Sequence, residues 1–212
     1  MCMIMTRGIF ITLEGGDGAG KTTHLNSLAK KLREMDYEVV IVREPGGTRI
    51  GEQIREVLLD NDNIDMTART ELFLYEAARS QIVAEVIKPA LAEGKVVLCD
   101  RFFDSTVAYQ GYGRGLDVEE IKKANLFTTD GLVPDRTVVI FTDTVENSMY
   151  RATKNDGADR IEAEGEEFQR KVWNGFLELA KTDAARFRLV NLQPSKDETF
   201  KLVFDAVKDL FN

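Results

Sequence analysis

Gly15-Gly16-Asp17-Gly18-Ala19-Gly20-Lys21-Thr22 fits the phosphate-loop spacing G-x-x-x-x-G-K-[ST]. Its flanks decide what it means. Ile9-Phe10-Ile11-Thr12-Leu13 upstream is a short apolar, β-rich run that reads as a buried strand. Leu25, Leu28, Leu32 and Met35 downstream recur at helical spacing. A strand, a glycine loop and a helix in that order gather backbone N–H groups at a helix N-terminus, which suits a polyphosphate. The predicted nucleotide contacts run from Gly15 through Thr23, with Lys21 on the β- and γ-phosphates and the Thr22 hydroxyl on Mg²⁺. A glycine turn that matches by chance would lack both flanking elements. ATP or GTP is the expected ligand.

Working outward, apolar strands and amphipathic helices alternate. Val39–Val42, Val96–Cys99, Thr137–Phe141 and Arg188–Val190 read as further strands, which makes five with the first. Helical spacing covers Ile54, Val57 and Leu58, then a long stretch from about Thr67 to Leu91 with Leu72, Tyr75, Ala78, Ile82 and Val86 on one face. Helices are also expected after Asp117, from about Thr144, near Glu166, and after a capping-box sequence at Ser195–Glu198. The pattern predicts one α/β domain over 1–212, a phosphate-loop three-layer α/β/α fold with a five-stranded parallel sheet. The polar, turn-prone stretch Lys154–Asp159 lies between two helices and is a candidate lid as much as an ordinary surface loop.

The bulk properties narrow the function. The 212 residues carry a formal net charge of −8, which argues against non-specific binding to nucleic acid or to an anionic membrane. An acidic chain that binds phosphates must gather positive charge locally, so single arginines in loops become informative. Two cysteines, Cys2 and Cys99, do not make a disulfide framework, and Met1–Met5 is too short for a signal segment. A cytoplasmic protein is expected. His24 is the only histidine, so no histidine-based triad or metal cluster is available.

In an open parallel sheet, ligands bind beyond the carboxyl ends of the strands. Two polar clusters open from such ends, Arg43-Glu44-Pro45-Gly46-Gly47-Thr48 and Asp100-Arg101-Phe102. Asp100 stands where many phosphate-loop enzymes place an acidic Mg²⁺ partner, directly or through water.

With these motifs in place, the chain resembles the thymidylate kinase family in its bacterial form. The resemblance rests on Glu14–Thr23, Arg43–Thr48, Tyr75-Glu76-Ala77-Ala78-Arg79, Asp100–Phe102, Asp104–Gly111, Gly113–Leu116 and Asp159-Arg160-Ile161-Glu162. It implies transfer of a phosphoryl group from ATP, with Mg²⁺, to dTMP, and a homodimer. It further implies that Arg101 holds the acceptor phosphate, with Arg55 as a second contact beside Glu44 and Pro45 of the turn. Tyr75 would stack on the thymine and Arg79 would donate to its O4. Thr106 and Gln110 would meet the base edge, Tyr109 would crowd the sugar's 2′ side, and Asp17 would lie near the 3′-hydroxyl.

Some relatives carry a catalytic arginine inside the phosphate loop, where this chain has Gly18. The lid, about residues 151–163, is therefore expected to supply it, with Arg160 the first candidate and Arg151 the second. Two rivals stay open. A related kinase could act on a cytidine or uridine monophosphate, or on a deoxynucleoside with Glu44 as its base. A nucleotide-dependent switch would carry a guanine motif such as N-K-x-D or an early second lysine in the loop, and this chain has neither.

Overall fold

The computed structural model describes residues 7–16, 18–142, 160–161 and 164–211. Asp17, Arg151, the helix expected from about Thr144 and the Lys154–Asp159 stretch lie outside the described residues. Five strands, β1 (Phe10–Glu14), β2 (Val39–Arg43), β3 (Val96–Asp100), β4 (Arg136–Phe141) and β5 (Phe187–Asn191), form one parallel sheet in the order β2-β3-β1-β4-β5. Each expected strand is present, within one residue at either end. The differences carry meaning: Glu14, Arg43 and Asp100 are the last residues of their strands rather than loop residues.

The central strands β1 and β4 are buried along their whole length, so their apolar residues point to both faces of the sheet and their polar residues, Thr12, Glu14, Arg136 and Thr137, are buried as well. The edge strands β2 and β5 leave Ile41 and Leu189 exposed. The register aligns Leu13 and Arg43 with Asp100, which brings the carboxyl ends of three strands to one edge.

Side chains alternate between two cores. Ile11, Leu13, Leu98, Val138 and Ile140 face helices α1 (Lys21–Arg33) and α8 (Lys196–Asp205) through Leu25, Leu28 and Val203. The opposite face carries Phe10, Val97 and Cys99 at one end and Val139, Phe141 and Phe187 at the other. It is covered by α2 (Arg49–Leu59), α3 (Ala68–Ile82), α4 (Lys88–Ala92), α5 (Phe103–Thr106), α6 (Val118–Thr128) and α7 (Glu166–Thr182). This is the three-layer arrangement the alternation predicts.

The caps follow the sequence. Thr48, Thr67, Asp117 and Ser195 each accept a backbone N–H from the first turn of α2, α3, α6 and α8. The Ser195 hydroxyl also donates to the Glu198 carboxylate, so the reciprocal contact of that box runs side chain to side chain rather than to the cap's backbone N–H. Glu120, three residues after the Asp117 cap, pairs with Lys123. The long helix is not regular throughout: a π-helical segment, Val83–Ile87, links α3 to α4. A second, Val107–Gly113, continues α5 and carries Tyr109 and Gln110. A π-segment widens the helix by one residue, a device common at functional sites. There is room for it because Gly113 and Gly175 pack against the rings of Phe168 and Tyr112 with no space for a Cβ.

Candidate active site

The phosphate loop is closed by two glycines. Gly15 has φ 128°, and a Cβ there would stand 2.3 Å from the Ile140 carbonyl oxygen. Gly20 is the N-cap of α1 with φ 79°. Lys21 is buried and donates across the loop to the carbonyls of Gly15 and Gly16, at 3.1 and 2.9 Å. The Thr22 hydroxyl donates to the Asp100 carboxylate at 2.6 Å. A hydroxyl and a carboxylate side by side at the head of a phosphate loop are hard oxygen donors of the kind Mg²⁺ takes, so the residues fit that ion. Among the described residues no cluster of three His, Cys, Asp or Glu could cage a metal. Mg²⁺ held mainly by nucleotide phosphates needs none.

Next to Asp100, Arg101 adopts a left-handed backbone, φ 65°, which costs a non-glycine residue about 1–3 kcal/mol. The surroundings over-determine it. Its N–H donates to Leu13, the Cys99 thiol donates to its carbonyl, and the following N–H of Phe102 donates to Glu14 at 2.7 Å. The Ser105 hydroxyl donates to the other Glu14 oxygen and accepts from the Arg101 guanidinium. The turn fixes that guanidinium over the Tyr109 ring, 5.2 Å from its centre.

Arg101 opens on a cleft of about 130 Å³. Glu44, Pro45, Arg55 and Tyr75 line one side of it, and Arg79, Arg101, Thr106, Tyr109 and Gln110 the rest. Every substrate contact expected from the sequence is thus brought together, apart from Asp17, which lies outside the described residues. Arg55 donates to the Pro45 carbonyl at 3.0 Å, which ties α2 to the turn after β2.

The cleft floor is a buried ionic network. Arg79 is 1% exposed. Its Nε donates to Glu44, its Nη1 to Glu76 and Asn125, and its Nη2 to the Thr106 hydroxyl, all within 2.7–2.9 Å. Burial opposes its charge, yet Glu44 and Glu76 hold the guanidinium firmly protonated. Four of its five N–H donors are spoken for, which leaves one Nη2–H for a ligand. Burial pushes the Glu44 carboxyl up to about 7, against the pull of Arg79. Burial and the nearby Asp104 push Glu14 up to about 8, against the bonds from Ser105 and Phe102 and the charge of Arg101.

Arg160 stands apart from this arrangement. It is buried, donates from Nε to the Leu58 carbonyl at 3.0 Å and pairs with Glu71 at 2.7 Å, while its neighbour Ile161 lines the cleft. Its Nη2 has no hydrogen-bond partner among the described residues. The structure therefore brings Arg160 to the wall behind the cleft rather than to the phosphate loop. His24 packs beside Gly20, and burial, with the charge of Lys196, depresses its pKa.

Sequence reasoning passed over Glu14, Glu71, Ser105 and Asn125. For Glu71 a signal existed: it shares a helical stripe with Ala78 and Ile82, and an acidic residue on an apolar stripe is a buried one with a partner.

The comparisons with known proteins agree with this geometry. Residues 13–203 match the family model described as thymidylate kinase. A thymidylate kinase of Halothermothrix orenii is 47% identical over 205 residues, covering 95% of this chain and 97% of the relative. One of Exiguobacterium sibiricum is 48% identical over 188 residues, 89% of this chain and 88% of the relative. The chain belongs to the thymidylate kinase family, the ATP-dependent kinases that convert dTMP to dTDP. The crystal structure of thymidylate kinase from Ehrlichia chaffeensis superposes with a TM-score of 0.78 at 34% identity, covering 96% of this chain and 99% of that one. The fold is accordingly that of a phosphate-loop thymidylate kinase, and this chain is a phosphotransferase.

Proposed function

We propose that the cleft beside the phosphate loop holds dTMP with its phosphate at Arg101 and its thymine on the Arg79 floor. The single observation that supports this most is the placement of Arg101: the residue that follows Asp100, itself bonded to Thr22, also lines the cleft. An acceptor phosphate there would meet the γ-phosphate of an ATP cradled by Gly15–Thr23. Arg55 serves as the second phosphate contact and Tyr75 as the stacking ring, with Asp17 assigned to the sugar by resemblance alone.

The acceptor is a phosphate oxygen with a second pKa of about 6, so it is mostly ionised at neutral pH and needs no general base. This chain's residues align the two phosphates, neutralise their charge through Lys21 and Arg101, and exclude water. Mg²⁺ held by Thr22 and Asp100 would supply further charge neutralisation on the ATP phosphates. Between the two lid arginines, Arg151 is the better candidate for a further charge at the transferring group. Arg160 would first have to leave Glu71 and the Leu58 carbonyl.

A coupled ADP-release assay with ATP and Mg²⁺ across dTMP, dUMP, CMP, UMP and thymidine tests the substrate. Turnover of dTMP well above the ribonucleotides and thymidine is expected. Turnover of thymidine without dTMP would assign Glu44 to a hydroxyl acceptor and overturn the reading.

A homodimer fits the outer face of α2, α3 and α6. Phe73 and Phe127 are 65% and 86% exposed there, with Leu126 and Val57 on the same helices. Sedimentation of the purified protein should give twice the chain mass, and Phe127→Glu should lower it; a monomer at micromolar concentration refutes the assignment. No helix among the described residues is long and apolar enough to cross a membrane, and a cytoplasmic location accords with the chain's acidic surface.

A further inference from the structure

Gln110 is 1% exposed and lines the cleft, and its Nε2 donates to the Glu71 carboxylate at 2.8 Å. A carboxylate only accepts hydrogen bonds, so only the NH₂ side of the amide can face Glu71. The amide oxygen is thereby turned to the cleft. Nearby, the Thr106 hydroxyl accepts from Arg79 and keeps its own proton for another acceptor, and Arg79 keeps one Nη2–H. The floor therefore presents two donors beside one acceptor.

We infer that Glu71 is a positioning residue that sets base selectivity through Gln110, by holding its amide oxygen toward the base. Glu71 itself does not line the cleft. The resulting pattern complements a 4-keto, N3–H pyrimidine: O4 accepts from Arg79 and Thr106, and N3–H donates to Gln110. Cytosine inverts both, with an amino donor against donors and a bare N3 acceptor against the amide oxygen. A site built to hydrogen-bond one pattern rejects its inverse strongly, because buried polar groups are left unpaired.

The surroundings of Glu71 keep it in the acceptor-only state the inference needs. Arg114 donates to both its oxygens, from Nε at 3.1 Å and Nη2 at 3.0 Å, and Arg160 pairs with it at 2.7 Å. Burial would raise this carboxyl, but the bonds from Arg114, Gln110 and Arg160 hold it below the usual carboxylate range. Arg114 is anchored in turn over the Phe168 ring and by Glu164. Glu71 thus sits in a cationic socket that would be superfluous for packing alone.

This rests on the assignment of the cleft floor to the pyrimidine base, and the test separates the two. The measured quantity is the ratio of dissociation constants for dCMP and dTMP, by competition calorimetry on the full chain. Glu71→Gln keeps the volume but lets residue 110 turn either edge outward, so the ratio should fall about ten- to hundredfold. Arg114→Met leaves Glu71 paired with Arg160 and bonded to Gln110, so it should lower thermal stability and reduce the ratio far less than Glu71→Gln does. An unchanged ratio in Glu71→Gln, or an equal fall in Arg114→Met, overturns the inference while the base site stands. Wild-type enzyme with no preference for dTMP overturns both. Should Glu71→Gln not fold, the wild-type protein still decides. The Gln110 amide protons should keep their nuclear Overhauser contacts to Glu71 when dTMP binds, and their loss overturns the inference.

Discussion

Replacing Arg79 by Met should damage the fold as much as the chemistry, and the amount follows from the residues it leaves behind. The guanidinium pairs with Glu44 at 2.8 Å and Glu76 at 2.9 Å, all three side chains being at most 3% exposed. Removing one partner from a buried ion pair strands its counter-charge and costs about 3–5 kcal/mol. For a chain of this size each kcal/mol moves Tm by about 2–4 °C, so the expected fall is about 6–20 °C. The pH dependence gives a sharper signature. In the wild type the folded Glu44 carboxyl has a pKa of about 7, above its ordinary 4.5. The folded state therefore binds the extra proton, and stability declines as pH rises from about 4.5 to 7 and then levels. Without Arg79 the carboxyl rises further, and the decline continues past pH 7 at about 1.4 kcal/mol per pH unit. The deficit of Arg79→Met should thus be larger at pH 8 than at pH 6. Thermal melts followed by circular dichroism at both values read it directly, and adding Glu44→Gln should recover part of the loss at pH 8. A Tm within 3 °C of wild type, or a deficit larger at pH 6, would refute the account of a buried charge held by Arg79.

Three further outcomes are expected. Glu14, held up to about 8, contributes stability present at low pH and lost as pH rises toward 8, so Glu14→Gln should flatten the wild-type stability profile between pH 7 and 8 in denaturant titrations. Thr22→Val removes the hydroxyl beside Asp100 while nearly keeping its shape. It should lower kcat about tenfold or more and raise the Mg²⁺ concentration needed for half-maximal rate; an unaltered Mg²⁺ titration removes Thr22 from the metal site. Arg160→Ala leaves Glu71 short of one cation, so it should lower Tm by several degrees with a smaller effect on kcat. A hundredfold fall in kcat at unchanged Tm would return Arg160 to the transferring phosphate.

The strands, their order of appearance and the phosphate loop were legible because each depends on neighbours in sequence. A buried parallel strand is a short apolar run, and the motif Gly15–Thr22 carries its own turn geometry. Arg101 was legible as a cleft residue because it follows a strand end, whereas Arg79 and Gln110 were expected there through the family resemblance. What stayed hidden is which carboxylate claims which arginine. Glu44 meets Arg79 across 35 positions, Asn125 meets it across 46, and Arg114 meets Glu71 across 43. Nothing local encodes those distances. The consequence for function is specific. A sequence with −8 net charge invites the view that each arginine in a motif is reserved for phosphate. In the folded chain Arg79, Arg114, Arg160 and Arg186 instead answer to Glu44, Glu71 and Asp104, and of these four Arg79 alone lines the cleft. Arg101 lines the cleft directly after Asp100, which bonds Thr22, so a cation stands where the cleft adjoins the phosphate loop. A carboxylate-held Arg79 at the floor and Arg101 beside the phosphate loop give the cleft two chemically different ends, which under the proposed assignment suit a base and a phosphate respectively.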